Sequence, residues 1–315
     1  MGSKVITKVL KVGDKTKEMM ISAYKYSMRP KTPPYAVFQA DSDDTVVTFY
    51  ESGKVVFQGI SADVDANMWN EIEMKNNGGN SSLVEKKEKE KKDEKKEKVI
   101  PIRINSIGSD EVGTGDYFGP IVVTATYVSR DNIDFLLELG VKDSKKMTDI
   151  QILKVVPDII KKIPYKTFIL NNCDYNKYKD KDFNMNKMKA ILHNKVLYDI
   201  KSKGYSYDYI VVDQFENKYS YFNHIKESSK NVWDILFLTK AEDQCLSVAC
   251  ASLISRYIFL KEMDKISKEV GINLPKGANP KVDEVGIEIV KKYGKDKLNS
   301  IAKLNFKNTD RILNS

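Results

Sequence analysis

The chain is poor in the residues that build disulfide and soft-metal chemistry. Its 315 residues include three cysteines and two histidines. Cys173, Cys245 and Cys250 are odd in number and match no metal-knuckle spacing, and His193 and His224 add too little for a zinc set. That usage argues against a disulfide-stapled secreted scaffold and for a reducing, cytoplasmic compartment. No apolar run approaches the ~18 residues a membrane-spanning helix requires. The amino terminus lacks the apolar region of a signal peptide, and Ile6 stands where a myristoylation motif has serine or threonine. No G-x-x-x-x-G-K-[ST] loop is present, which argues against P-loop phosphotransfer.

What is there points to a soluble globular protein. Hydrophobic residues make up 41% and charged residues 30%, and the length suits two domains or one large one. A net charge of +8 and a pI near 9.0 favour an anionic partner, nucleic acid first.

Residues 1–75 read as a small α+β unit. Val5–Leu10 predicts a strand, and Asp14 is placed to cap an amphipathic helix reaching about Ser27. After the Pro-rich break at 29–34, Tyr35–Ala40, Thr45–Tyr50 and Lys54–Gln58 predict an antiparallel meander, closed by a helix over Ala62–Met74 with Trp69 inward. Lys4 to Lys31 hold eight basic residues against Asp14 and Glu18. With Tyr35, Phe38, Phe49 and Tyr50, this leaves two readings open: a nucleic-acid-binding face, or an ordinary core beside a solvated helix. Residues 76–98 read as a flexible linker, because Glu85–Lys98 is entirely charged, eight lysines against six acids. From residue 99 to 315 strands and helices alternate, as in an α/β domain. Among them is a helix over about 186–203 with Met188, Ile191, Leu192 and Val196 at helical spacing.

The informative stretch in that domain is Ile107–Pro120. Ile102, Ile104 and Ile107 read as the end of a buried strand, followed by Asp110 and Glu111, a glycine-punctuated turn, and a second strand at Ile121–Val128. Carboxylates at the end of a core strand are either solvated turn acids or are compensated by a divalent cation. Other acids also sit at element ends: Asp213 closes the apolar strand Tyr209–Val212, and Glu242 or Asp243 opens a long helix. Individually these are an Asx-type turn residue and a helix-terminus charge. Together at one sheet edge they would repel one another unless cations neutralised them. Two such cations would also supply phosphodiester hydrolysis.

The ordered motifs resemble the bacterial ribonuclease HIII family, of the type 2 ribonucleases H, over nearly the whole chain. They are Asp110–Gly115, Asp143-Ser-Lys145, Val212-Asp-Gln-Phe215, Lys240-Ala-Glu242 with Ala249–Ile254, Leu274-Pro-Lys-Gly-Ala278 and Phe306-Lys-Asn308. Arg29–Gln39, Glu51–Lys54 and Phe57-Gln-Gly59 resemble the family's small TATA-binding-protein-like domain. The resemblance implies an α/β ribonuclease H-like mixed sheet flanked by helices, preceded by that small α+β domain. It further implies an endonuclease that hydrolyses the RNA strand of RNA/DNA hybrids with two Mg²⁺ or Mn²⁺ ions, leaving 5′-phosphate and 3′-hydroxyl ends. Asp110, Glu111, Asp213 and Glu242 match the family's four catalytic, metal-holding acids, with Asp243 the rival for the fourth place. Gly113, Thr114 and Gly115 match a substrate loop whose backbone senses 2′-hydroxyls, which suits glycine's tolerance of close approach. Lys145 matches a phosphate contact. The amino-terminal domain is expected to grip the hybrid, with no membrane, no obligate protein partner and a monomeric state. Competing classes are a non-catalytic hybrid-binding protein and another two-metal nuclease on the same fold.

Overall fold

The computed structural model describes residues 5–77, 84–86, 100–178 and 184–315. The chain opens with β1 (Ile6–Lys11), α1 (Asp14–Tyr24), β2 (Ala36–Ser42), β3 (Thr45–Tyr50), β4 (Lys54–Gly59), α2 (Ala62–Asn77) and β5 (Val84–Lys86). It continues with β6 (Ser106–Val112), β7 (Ile121–Val128), α3 (Ile133–Glu138), α4 (Asp149–Lys162), β8 (Tyr165–Leu170), α5 (Asn172–Lys177) and α6 (Met185–Lys201). Then come β9 (Tyr209–Asp213), α7 (Lys218–Ile225), β10 (Ile235–Leu238), α8 (Ala241–Gln244) and α9 (Leu246–Val270). The chain closes with α10 (Pro280–Tyr293), α11 (Lys297–Ile301) and α12 (Lys307–Leu313). Two compact units result: Met1–Val99 with Glu216–Leu236, and Ile100–Phe215 with Phe237–Ser315.

In the first unit the meander forms as its alternation predicts, and β1 and β5 extend it to the order β2-β3-β4-β1-β5. Each neighbouring pair in that order is antiparallel. Leu10, Phe57 and Trp69 are fully buried, and the Trp69 indole donates to the Tyr24 hydroxyl at 2.8 Å. Of the four aromatics weighed above, Phe38 and Phe49 stack inside this core at 5.6 Å, whereas Tyr35 is 79% exposed. Asp14 is not the cap of α1. Gly13 holds that place, its N–H donating to Glu73, and Asp14 lies in the first turn, where its charge meets the positive end of the helix. Within the stretch read as linker, residues 76–77 finish α2 and Val84–Lys86 pair with β1. The remainder of that stretch, 78–83 and 87–98, lies outside the described residues. Residues 216–236 join this unit because their aromatics pack on α2, with Trp233 5.8 Å from Trp69 and 5.1 Å from Phe222.

The second unit is built on a mixed sheet of order β10-β9-β6-β7-β8. β6 is antiparallel to β7 and parallel to β9, and β7 is antiparallel to β8. The apolar central strands receive α9 on one side. Ala249, Cys250 and Ala251 are fully buried there, and a Cβ on Gly108 of β6 would stand 2.5 Å from the Val248 nitrogen. Only glycine allows that approach. The long helix predicted from Asp243 is in fact α8 and α9, broken at extended Cys245. Three helices, α10, α11 and α12, occupy residues 280–313. Ile191 is exposed because the buried face of α6 runs through Met188, Leu192, Val196 and Ile200, and residue 191 falls beside it.

Candidate active site

Strand β6 begins at Ser106, later than Ile102 and Ile104 suggested, and runs through both acids to Val112. Asp110 and Glu111 are therefore strand residues, and adjacent strand residues face opposite sides of a sheet. Gly108 touches α9, and Ser109 Oγ meets His193 Nδ1 of α6 at 2.7 Å. By alternation Asp110 shares the α9 side and Glu111 the α6 side.

On the α9 side, β9 lies parallel to β6, with Gly108 beside Val211 and Ser109 beside Val212. The next residue on each strand is Asp110 and Asp213, so these two carboxylates share a face and a level. Asp213 Oδ1 accepts the Ala241 N–H at 2.9 Å, which ties β9 to the segment carrying Glu242. Lys240 holds that segment in a left-handed conformation, φ 52°, unusual for a side-chain-bearing residue. Burial, then the charges of Glu111 and Glu242, push the Asp110 carboxyl well above the usual carboxylate range. Lys145 Nζ spans Glu242 at 2.6 Å and Asp243 at 2.9 Å. The Glu242 side chain is 19% exposed and that of Asp243 47%.

On the α6 side, Glu111 is held at both oxygens: Lys189 Nζ reaches Oε1 at 2.5 Å, and His193 Nε2 lies 2.8 Å from Oε2. Burial works to raise this carboxyl, but His193 and Lys189 outweigh it and hold it well below its ordinary value. The Phe215 ring backs the pair, 3.9 Å from Lys189 Nζ and 5.6 Å from the His193 ring. Neither partner, Lys189 nor His193, was foreseen from the sequence. A buried histidine on the apolar face of α6 was the available signal.

The turn after β6 is fixed from outside. Gly113 has φ 100°, and a Cβ there would meet the Pro120 carbonyl at 2.2 Å. Gly113 is thus needed to close the turn, whereas Gly115 is exposed and a Cβ on it would meet nothing within 4 Å. Buried Lys303 donates to the carbonyls of Asp116 and Gly119 at 2.8 and 2.6 Å, and Gly277 N–H donates to the Asp116 side chain at 2.6 Å. Thr114 lies between these anchors, partly exposed.

The carboxylates do not form a closed cage. Among the described residues, no three histidine, cysteine, aspartate or glutamate side chains are gathered closely enough to hold one ion. The opposed faces of Asp110 and Glu111 and the lysines on Glu111 and Glu242 account for this spread. The donor set nonetheless suits a hard cation: four carboxylates on neighbouring strand and helix segments, with Asp110 buried and bearing the charges of Glu111 and Glu242.

Residues 107–309 match the family model described as ribonuclease HII, and residues 7–82 match one described as a domain of unknown function. The chain is 42% identical to ribonuclease HIII of Bacillus licheniformis over 306 residues, 96% of each chain. It is 40% identical to that of Listeria monocytogenes over 311 residues, 97% of each. A crystal structure of Bst-RNase HIII in complex with Mn²⁺ is similar over 98% of both chains, with TM-score 0.67 and 35% identity. Ribonuclease H2 of Pyrococcus horikoshii, 23% identical with TM-score 0.54, shares the fold over 66% of this chain.

Proposed function

The chain belongs to the ribonuclease HIII family, a divalent-metal-dependent endonuclease of the RNA strand in RNA/DNA hybrids, and we propose that Asp110, Glu111, Asp213 and Glu242 are the residues with which it does this work. The observation that carries the assignment is the shared face and level of Asp110 and Asp213, with Asp213 bonded to the backbone beside Glu242. We assign the fourth place to Glu242 over Asp243, because Glu242 is the less exposed and bears on the Asp110 carboxyl.

Two Mg²⁺ or Mn²⁺ ions, when bound, would activate water and stabilise the leaving 3′-oxygen. The chain's own groups do the rest. Asp213 stays oriented through the Ala241 N–H, and His193 fixes one oxygen of Glu111 while Ser109 fixes the ring. Lys145, half-exposed beside Glu242, is the phosphate contact. The open position at Gly115 and the partly exposed Thr114 let the turn's backbone approach a ribose 2′-hydroxyl, with Gly113 closing the turn behind them. Residues 1–75 grip the hybrid backbone, aided by the basic stretch Lys4–Lys31. No helix among the described residues is long and apolar enough to cross a membrane, and the cysteine usage fits a reducing, cytoplasmic compartment.

A labelled RNA/DNA duplex, tested beside duplex DNA and duplex RNA with Mg²⁺ and with Mn²⁺, tests this reading. Cleavage of the RNA strand of the hybrid alone, with 5′-phosphate products, is expected. Retained hybrid binding without cleavage would leave a binding protein, and cleavage of duplex DNA would leave another two-metal nuclease.

A further inference from the structure

Glu111 differs from the other three acids in having both oxygens already engaged by side chains of one helix, α6. The two partners are not equivalent. His193 is buried and held on both ring nitrogens, by Ser109 and by Glu111, with its ring against Phe215. It cannot leave without breaking all three contacts. Lys189 makes one ion pair from the end of a flexible four-carbon stem, and its ammonium already lies 3.9 Å from the Phe215 ring centre. The ring face is a second resting place for a cation that loses its carboxylate.

We propose that Lys189 is a built-in counter-ion of the active site, which a divalent cation must displace from Glu111 Oε1 before that carboxylate can serve it. The proposal rests on the assignment of Glu111 as a metal-holding residue. In the cation-free chain the ammonium compensates a part-buried carboxylate next to Asp110, where two unshared negative charges would repel. When a doubly charged ion arrives, the same ammonium becomes a like-charged neighbour and yields Oε1, while His193 keeps Oε2 in position. Lys145 stands on Glu242 in a comparable way, but at 48% side-chain exposure solvent screens it. Lys189 is 14% exposed and its pair with Glu111, 11% exposed, is screened far less. Lys189 would therefore set the cation concentration at which the site fills.

The test is Mn²⁺ binding to the full-length, substrate-free protein, followed by electron paramagnetic resonance of free Mn²⁺ or by calorimetry. Lys189→Met, close in length and uncharged, is expected to lower the half-saturating Mn²⁺ concentration about tenfold, toward the low end of what close charge pairs carry. Lys189→Arg restores a cation and should return binding to the parent level. Lys195→Met removes an equal charge from the exposed side of the same helix and should leave binding unchanged. Unchanged or weaker Mn²⁺ binding in Lys189→Met overturns the proposal, as does equal tightening in Lys195→Met, which would make the effect one of net charge. Glu111→Gln separates this failure from that of the underlying assignment. If Glu111→Gln weakens Mn²⁺ binding and Lys189→Met does not strengthen it, only the counter-ion role fails. If Glu111→Gln leaves binding unaltered, both fail.

Discussion

Two acidic residues stand side by side at 242 and 243, and Lys145 touches both, so contact alone does not rank them. Burial and electrostatic reach do. Glu242 bears on the Asp110 carboxyl, whereas Asp243 is nearly half exposed. Glu242→Gln is expected to lower kcat by about a hundredfold or more, several kcal/mol of lost transition-state stabilisation. Asp243→Asn should keep substantial activity, and the reverse ranking in the hybrid assay would move the fourth acid to 243. A different acid contributes to the pH dependence of stability. Asp65 on α2 is fully buried, and burial outweighs the help its carboxyl draws from the Thr45 hydroxyl and from Lys218. Burial pushes its carboxyl from 3.8 up to about 9. Across that window the folded chain keeps a proton that the unfolded chain has released, so folding stability falls as pH rises. Asp65→Asn removes the titration. Relative to the parent, the variant should gain little near pH 4 and several kcal/mol by pH 9, read from denaturant melts.

At the scale of elements, the turn between β6 and β7 is held more firmly than its glycines suggest, because Lys303 spans its carbonyls from the far end of the chain. Burial lowers this ammonium to about 7, so its presence costs stability that its hydrogen bonds only partly offset. Lys303→Met should therefore change global stability little while speeding amide exchange at Asp116 and Tyr117, measured by hydrogen–deuterium exchange. Unaltered exchange there would show that Gly277 and Asn172 suffice to hold the turn. This region also shows what could be read in advance. The hairpin, the acids and the glycine spacing were legible because they are local: β-branched runs, turn residues and adjacent carboxylates. The clamps were not. Lys303, Gly277 and His193 act on β6 and its turn from more than 80 residues away, and single residues at such separations leave no periodic trace. The same limit hid the start of β6, whose end at Val112 is marked by Gly113 but whose beginning is set by pairing of Ser106 with Val128 and Tyr209.

At the scale of the whole molecule, the division of the chain changes how the amino-terminal unit should be tested. Removing residues 1–80 is expected to raise KM for the hybrid about tenfold or more while moving kcat far less, since lost grip weakens ground state and transition state alike. The same deletion also takes Trp69 and Tyr24 away from Trp233, Phe222 and Lys218, which belong to that unit although they lie in the second half of the sequence. A stability loss will therefore accompany any kinetic effect and could imitate it. Trp233→Ala in the full-length chain separates the two. It opens a cavity beside Trp69 and Phe222 and should lower stability by about 3–5 kcal/mol. It leaves the basic residues from Lys8 to Lys31 in place, so KM should stay near the parent value below the melting temperature. A raised KM in the deletion together with an unaltered KM in Trp233→Ala assigns the grip to the surface of the unit. If both variants raise KM to the same extent, the deletion reports only lost packing, and the basic stretch has no part in holding the hybrid.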